Sequence, residues 1–441
     1  MEGWTAQRIL QLAPDPASGK AGQGLASPRK WPSLGHDADA VWGECQGSGA
    51  KPYQVQVALA GPSFKCSCPS RKFPCKHGLG LMLLYAADAF PAGDRPQWVA
   101  DWLASRTERA EKKQAKADEP PKPIDEAAQA KRREKRQERI ADGLASLKLW
   151  VDDLVRGGVA TVPGKGYKFF DEPARRMVDA QAPGVATQLQ RLGEIAASGA
   201  GWERTFVEGL ASLHLLIAAH GRLELLPEPT RHDVRSTLGL PVAIEDVLAL
   251  PPVHDRWQVV GQEVTTEDKL RVSRTWLFGT TARRPALVLA FAHGTQPLDT
   301  TLSPGFAFDG DLCFFPGNAV RAAVKTRSTP TPFDVPDGLD TLDQLCDAVS
   351  ERLAAHPWLG EIGLPVRSLT PVRQDDRLLL VDRERRGLPA TLRGSAAWVL
   401  LAVSGGHPVD VTVAFDGTRL RPLGVHHDRT HTSLTATDGP G

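Results

Sequence analysis

The chain has 441 residues, 41% of them hydrophobic, with 53 basic against 52 acidic side chains for a formal net charge of +1. That length supports two or more cores, and the charge balance excludes a dedicated nucleic-acid binder working through a global basic field, leaving only local patches. No apolar run reaches the ~18 residues of a membrane span, and the opening MEGWTAQRIL lacks the apolar stretch of a secretory signal, so the expected location is the cytoplasm. Many Gly and Pro with 3 Met and 3 Tyr fit a GC-rich bacterial genome.

Residues 1–50 hold Trp4, Trp31 and Trp42, read as packing residues draped on the neighbouring unit of the chain. Tyr53, Val55, Val57 and Leu59 alternate with Gln54, Gln56 and Ala58, a strand of period two, and Gly61-Pro62 marks a turn. Phe64, Cys66 and Cys68 then share one parity, so a strand sends both thiols to one face. Pro69-Ser70 breaks it, Pro74 sits where a helix could begin, and Leu79, Met82, Leu83 and Tyr85 form a buried stripe. Cys75 and His77, about 200° apart on an ideal helix, belong at its ragged start, whose positive end favours a thiolate.

Cys66, Cys68, Cys75 and His77 therefore converge as C-x-C-x6-C-x-H. Three thiols and one imidazole make a closed tetrahedral set for Zn²⁺, the composition of a structural site. Buried structural thiols are the plainer alternative, but the intervening loop is polar and basic. A disulfide is unfavoured in a reducing compartment, and iron–sulfur ligation sits less easily with the histidine.

These residues carry a resemblance. Cys66-Ser67-Cys68-Pro69 followed by Pro74-Cys75-Lys76-His77 resembles the SWIM-type zinc finger on a ββα unit, and CSCPSRKFPCKHGLGLMLL with WGECQGSGAKPYQVQVAL upstream resembles a bacterial branch of SWIM-containing proteins. The resemblance covers residues 40 to 90. It implies zinc on Cys66, Cys68, Cys75 and His77. More loosely it implies DNA or protein partners, among them AAA+ ATPases and von Willebrand factor A-type (VWA-type) proteins.

No acidic residue lies between Glu44 and Asp88, whereas Lys65, Arg71, Lys72 and Lys76 flank the metal loop and Phe73 offers an aromatic face. These cations either contact phosphates or balance a three-thiolate site, and both readings stay open.

Further on, Trp98, Val99, Trp102 and Leu103 suggest a helix packing back on the module. Residues 106–139 read as a charged linker, a solvated stretch or an exposed helix with a nucleic-acid-binding arm as the alternative, interrupted by PPKP (120–123) and densest in KRREKRQER (131–139). Residues 140–250 read as a helical domain, from the stripes Ile140–Leu144–Leu147–Val151–Leu154, Val185–Leu189–Leu192–Ile195 and Phe206–Leu210–Leu213–Ile217, with His214 as an interior histidine. Residues 251–425 read as an α+β domain with strands near 257–259, 270–278, 286–291, 377–381, 397–403 and 409–415, turns at Gly294, Pro304-Gly305 and Asp309-Gly310, and a helix over 339–353. Residues 426–441, with His426, His427 and His431, read as a disordered tail.

The expected fold class is thus α+β multidomain: a zinc-binding module over 1–105 (core 50–90), a charged linker, a helical bundle and an α+β C-terminal region. Cys313 with His293, or Asp343 with Cys346, would be imaginable nucleophile arrangements, but no catalytic motif supports them. The expected function is a non-enzymatic SWIM-type adaptor binding protein partners, with nucleic-acid binding through Lys65, Arg71, Lys72 and Lys76 as the alternative.

Overall fold

The computed structural model describes residues 4–13, 16–47, 51–59, 63–70, 74–118, 126–166, 168–267, 270–293, 298, 301–375, 377–392 and 394–435. Gly61-Pro62, Arg71, Lys72, Phe73, PPKP and Gly294 lie outside them.

Two short helices, α1 (Ala6–Gln11) and α2 (Pro16–Gln23), precede an antiparallel sheet of β1 (Ser33–His36), β2 (Ala40–Cys45), β3 (Tyr53–Ala58) and β4 (Ser63–Cys66), and α3 (Lys76–Ala86) completes the module. Register divides the sheet cleanly. Val41, Val57 and Phe64 lie opposite one another, as do Gly43, Val55 and Cys66, and this face packs on α3. Trp42, Gln56 and Lys65 form the other face, where Trp42 and Ala40 meet Val99 of α4 (Gln97–Asp118). The buried stripe anticipated on α3 is wider than that: every residue from His77 to Tyr85 is buried, because α1 and α2 cover the side away from the sheet. Small residues permit this. A Cβ on Gly78 would lie 2.8 Å from Phe64 Cδ1, and one on Gly80 2.8 Å from Leu25 Cβ.

The segment read as linker is largely helical, since α4 reaches Asp118 and α5 (Glu126–Arg156) begins well before Ile140. Its alanines and long charged side chains are good helix formers that need no core. α5 packs with α6 (Lys168–Asp179), α7 (Pro183–Ala196), α8 (Trp202–His220) and α9 (Glu228–Thr237) around one core including Leu144, Val151, Phe170, Leu189, Phe206 and Leu213. His214 is exposed, contrary to expectation, because it lies one position past the Leu210–Leu213 stripe.

After α10 (Ile244–Ala249) come two six-stranded sheets. The first contains β5 (Val253–Glu267), β6 (Leu270–Gly279), β7 (Pro285–His293), β8 (Phe306–Phe314), β9 (Ala322–Arg327) and β10 (Thr331–Pro332), with β5 between β8 and β6. α11 (Leu342–Ala355) then leads to the second, ordered β13-β12-β11-β14-β15-β16 from β11 (Ile362–Gln374), β12 (Arg377–Val381), β13 (Gly387–Ala390), β14 (Val409–Phe415), β15 (Leu420–His427) and β16 (Thr430–Ser433). Val260, Trp276 and Phe278 from the first share a core with Ile362, Leu364, Leu423 and Val425 from the second. Gly363 lets the sheets approach, since a Cβ there would collide with the Trp276 ring at 2.2 Å.

Three C-terminal expectations are corrected. Residues 397–403 are not a strand but part of α12 (Ala396–Ser404); an apolar run without alternation does not distinguish the two, and Gly405 at φ 56° closes the helix. Asp309-Gly310 is not a turn but the middle of β8; Gly310 faces Arg327 so closely that a Cβ would lie 2.2 Å from Thr326 O. The supposed disordered tail is ordered through Thr435, with His426 opposite His431 in the β15–β16 ladder, because a strand edge and a buried imidazole pair hold it.

Candidate metal centre

The β3–β4 hairpin and the start of α3 deliver the ligands. Val55 pairs with Cys66, and one step further the pairing is taken over by a reciprocal clasp: Ser67 N donates to Gln54 O at 3.0 Å, and Gln54 N to Ser67 Oγ at 3.0 Å. The strand therefore ends at Cys66, not at Cys68 as parity suggested, and the chain bends to bring Cys68 round to its neighbour. On the other side, Cys75 is the N-cap of α3, with extended backbone (φ −75°, ψ 164°) and its carbonyl accepting from Leu79 N at 3.1 Å. Its thiol makes no capping bond, being directed to the cluster.

The four ligand atoms all lie within 4.8 Å of one another. His77 Nδ1 is 3.8 Å from Cys66 Sγ and 3.9 Å from Cys75 Sγ. A tetrahedron with Zn–S of about 2.3 Å and Zn–N of about 2.0 Å has edges of about 3.5–3.8 Å, so the arrangement fits zinc with little contraction. The Tyr53 ring stands 5.0 Å from the imidazole, centroid to centroid, and walls it on one side.

The electrostatics describe a site that wants a cation. Hydrogen bonding to Cys68 and Cys75 pushes the Cys66 thiol well up, while bonds from Cys66 and Cys75 hold Cys68 far below the ordinary thiol range. Burial would lower His77, but bonding to Cys68 and Cys75 outweighs it and lifts the imidazole to about 9. The Cys66 thiol thus retains a proton that a divalent cation would replace.

Residues 53–86 match the family model of the SWIM zinc finger. This stretch of the N-terminal module is similar to a SWIM zinc finger. Residues 135–238 match the SWIM-associated four-helix bundle domain, the segment spanning most of α5 to α9. No curated protein and no solved structure matched the chain.

Among the cations flanking the SWIM loop, Lys65 and Lys76 are exposed, but on different sides: Lys65 belongs to the sheet face that receives α4, Lys76 to the first turn of α3. Arg71 and Lys72 lie outside the described residues. Sequence reasoning passed over Cys45, fully buried opposite Tyr53 and close enough that the charges of Cys75 and Cys68 act on it; burial raises its thiol. Its place in a third strand, 21 residues before the motif, gave no spacing signal. The imagined nucleophiles are occupied otherwise: Cys313 Sγ is 3.4 Å from Leu250 O with His293 exposed at the end of β7, and Asp343 is ion-paired with Arg386.

Proposed function

We propose that this chain is a non-enzymatic zinc-finger adaptor of the bacterial cytoplasm, whose SWIM module and helical bundle present surfaces to protein partners. The observation that carries this reading is the closed ligand set. Four protein ligands within 4.8 Å fill a tetrahedral sphere, so the ion supplies shape and folding energy and leaves no position for an activated water. No helix among the described residues is long and apolar enough to cross a membrane. The partner class suggested by the SWIM resemblance is an AAA+ ATPase or a VWA-type protein.

A second reading, nucleic-acid binding, draws on the exposed Lys65 and Lys76 and on KRREKRQER, where α5 is almost wholly exposed before Ile140. One experiment separates them. Fluorescence anisotropy of labelled DNA and RNA is followed across a salt series, alongside co-elution with the host's AAA+ ATPase and VWA-type proteins. The adaptor reading expects co-elution that Cys75→Ser abolishes, and no nucleic-acid signal weakened by reversing Arg71 and Lys72. A log–log salt slope of several phosphates that falls on those reversals would replace it with the nucleic-acid reading.

A further inference from the structure

β11 does not run evenly along β14. Val366 pairs with Val411 and Leu369 with Val409, so Arg367 and Ser368 are set together against Asp410 alone, a β-bulge. Ser368 sits there at φ 53°, a left-handed backbone that glycine adopts more cheaply, and its amide donates to Asp410 Oδ1 at 2.9 Å. The bulge changes direction as well as register. Neighbouring residues of a regular strand point to opposite faces, yet Arg367 and Ser368 are both exposed and line one cleft of about 300 Å³. Asp340 and Arg383 complete its lining.

Backbone hydrogen bonds bring these residues together. Leu339 N donates to Pro365 O at 2.9 Å and Arg367 N to Leu339 O at 2.8 Å, which sets Asp340 beside Arg367. Asp382, 5% exposed, accepts from Leu342 N of α11 through one oxygen and from Glu384 N and Arg386 N through the other. That carboxylate docks the β12–β13 turn on the start of α11 and carries Arg383 to the cleft. Arg367 Nη2 lies 2.5 Å from Asp340 Oδ1, whereas Arg383 Nη2 lies 3.9 Å from Oδ2, beyond hydrogen-bond reach. Two guanidiniums thus share one carboxylate. The Arg383 guanidinium and the Ser368 hydroxyl make no hydrogen bond among the described residues, and Arg367 keeps most of its donors. The neighbouring charges are already engaged: Arg386 pairs with Asp343, and Asp410 holds the Ser368 amide.

We infer that this cleft binds a small hydroxylated organic phosphate, with Arg367, Arg383 and the Ser368 hydroxyl on the phosphate and Asp340 accepting from a ligand hydroxyl. The surplus cation selects an anion, and guanidinium forks beside a hydroxyl suit a tetrahedral oxyanion. The volume matches the small end of organic-ligand pockets rather than a bare ion, and a wholly polar lining offers nothing to an apolar body. The site lies in the C-terminal sheets, so it stands apart from zinc and from the partners of the SWIM module.

The test uses the full zinc-loaded chain, with calorimetry and thermal unfolding at constant ionic strength set by sodium chloride. Ribose 5-phosphate and glycerol 3-phosphate are titrated beside inorganic phosphate and ribose, which separate the anion from the hydroxylated body. The expected result is saturable heat and a rising Tm with at least one of the two esters, at least tenfold tighter than inorganic phosphate, and no response to ribose. Arg367→Gln and Arg383→Gln should each weaken that binding at least tenfold. Arg385→Gln, in the same turn but outside the cleft, should leave it unchanged. Arg383 is exposed and makes no hydrogen bond, so its Gln variant should keep the parent's Tm without ligand, and its lost binding is then not lost folding. Ser368→Gly, which suits the left-handed backbone, should likewise hold Tm close to the parent's while affinity falls several-fold. The inference is overturned if neither ester gives a saturable response, if inorganic phosphate binds as tightly as both, or if Arg383→Gln responds like the parent.

Discussion

At the scale of single residues, the metal ligands are not interchangeable with their nearest isosteres. Cys75 is both a ligand and the N-cap of α3, so its loss removes a thiolate while leaving an oxygen that caps well. Cys75→Ser therefore separates capping from metal binding. The helix start is preserved or improved, yet the closed set is broken. The expected outcome is loss of bound zinc and of protease resistance across residues 50–90, with the bundle around Phe170 and Phe206 still intact. Zinc content with mass-mapped limited proteolysis checks it, and continued resistance across 50–90 would show that the core of Leu79, Leu81 and Met82 holds the module unaided. The ligands themselves were legible in the sequence because C-x-C and C-x-H are local. Cys45 was not, since only the β2–β3 register brings it near.

Elements formed where local pattern and environment agree. β12 (Arg377–Val381) and β14 (Val409–Phe415) occupy the stretches that alternation indicates; β12 has one face on the core, while β14, central in its sheet, is buried on both. α12 shows the opposite case: AAWVLLAVS carries no periodicity, and the choice of helix came from packing on the second sheet. The β15–β16 hairpin has a titration of its own. His426 Nε2 and His431 Nδ1 are 3.1 Å apart and both rings are buried. Burial pushes His426 down to about 4, a hydrogen bond to the Val260 backbone opposing, and pushes His431 well below its ordinary value, with His426 adding to the effect. The unfolded chain binds protons below about pH 6.5, whereas folded His426 stays neutral to about 4 and folded His431 stays neutral well below its ordinary value. Stability is therefore full above about pH 6.5 and falls as pH drops towards 4, by up to about 1.4 kcal/mol per pH unit for each histidine. Tm measured from pH 7.5 to 4.5 should show a shallower decline in His431→Gln than in the parent chain; identical slopes would assign the acid sensitivity to other groups.

For the whole molecule, the SWIM-associated bundle is attached to the C-terminal sheets through a small buried polar junction. Asp233 of α9, 1% exposed, accepts from Asn318 N at 2.9 Å and Asn318 Nδ2 at 2.7 Å, while His356 Nε2 lies 3.8 Å from the same carboxylate. Trp358 Nε1 donates to Ser212 O of α8 at 3.0 Å. Asp233→Ala would remove the acceptor of Asn318 N and leave Asn318 Nδ2 only its 3.3 Å bond to Ala355 O, at a cost of about 1–3 kcal/mol. Hydrogen exchange should then quicken together in α9, in the loop at Asn318 and around His356–Trp358. Faster exchange confined to the Asn318 loop would mean that the apolar contacts of Trp358 hold the junction without the carboxylate.

What the sequence determined by itself was whatever rests on near neighbours: a zinc ligand set inside twelve residues, amphipathic stripes of the bundle, and alternation in strands with one buried face. Tertiary structure alone decided the pairing of distant strands that makes Gly310 a close-contact position, the burial of His426 against His431, and the folding of α12. The physical reason is range. Dihedral preference and periodicity act over one or two turns, whereas burial, desolvation and like-charge repulsion depend on which residues the packed chain brings together.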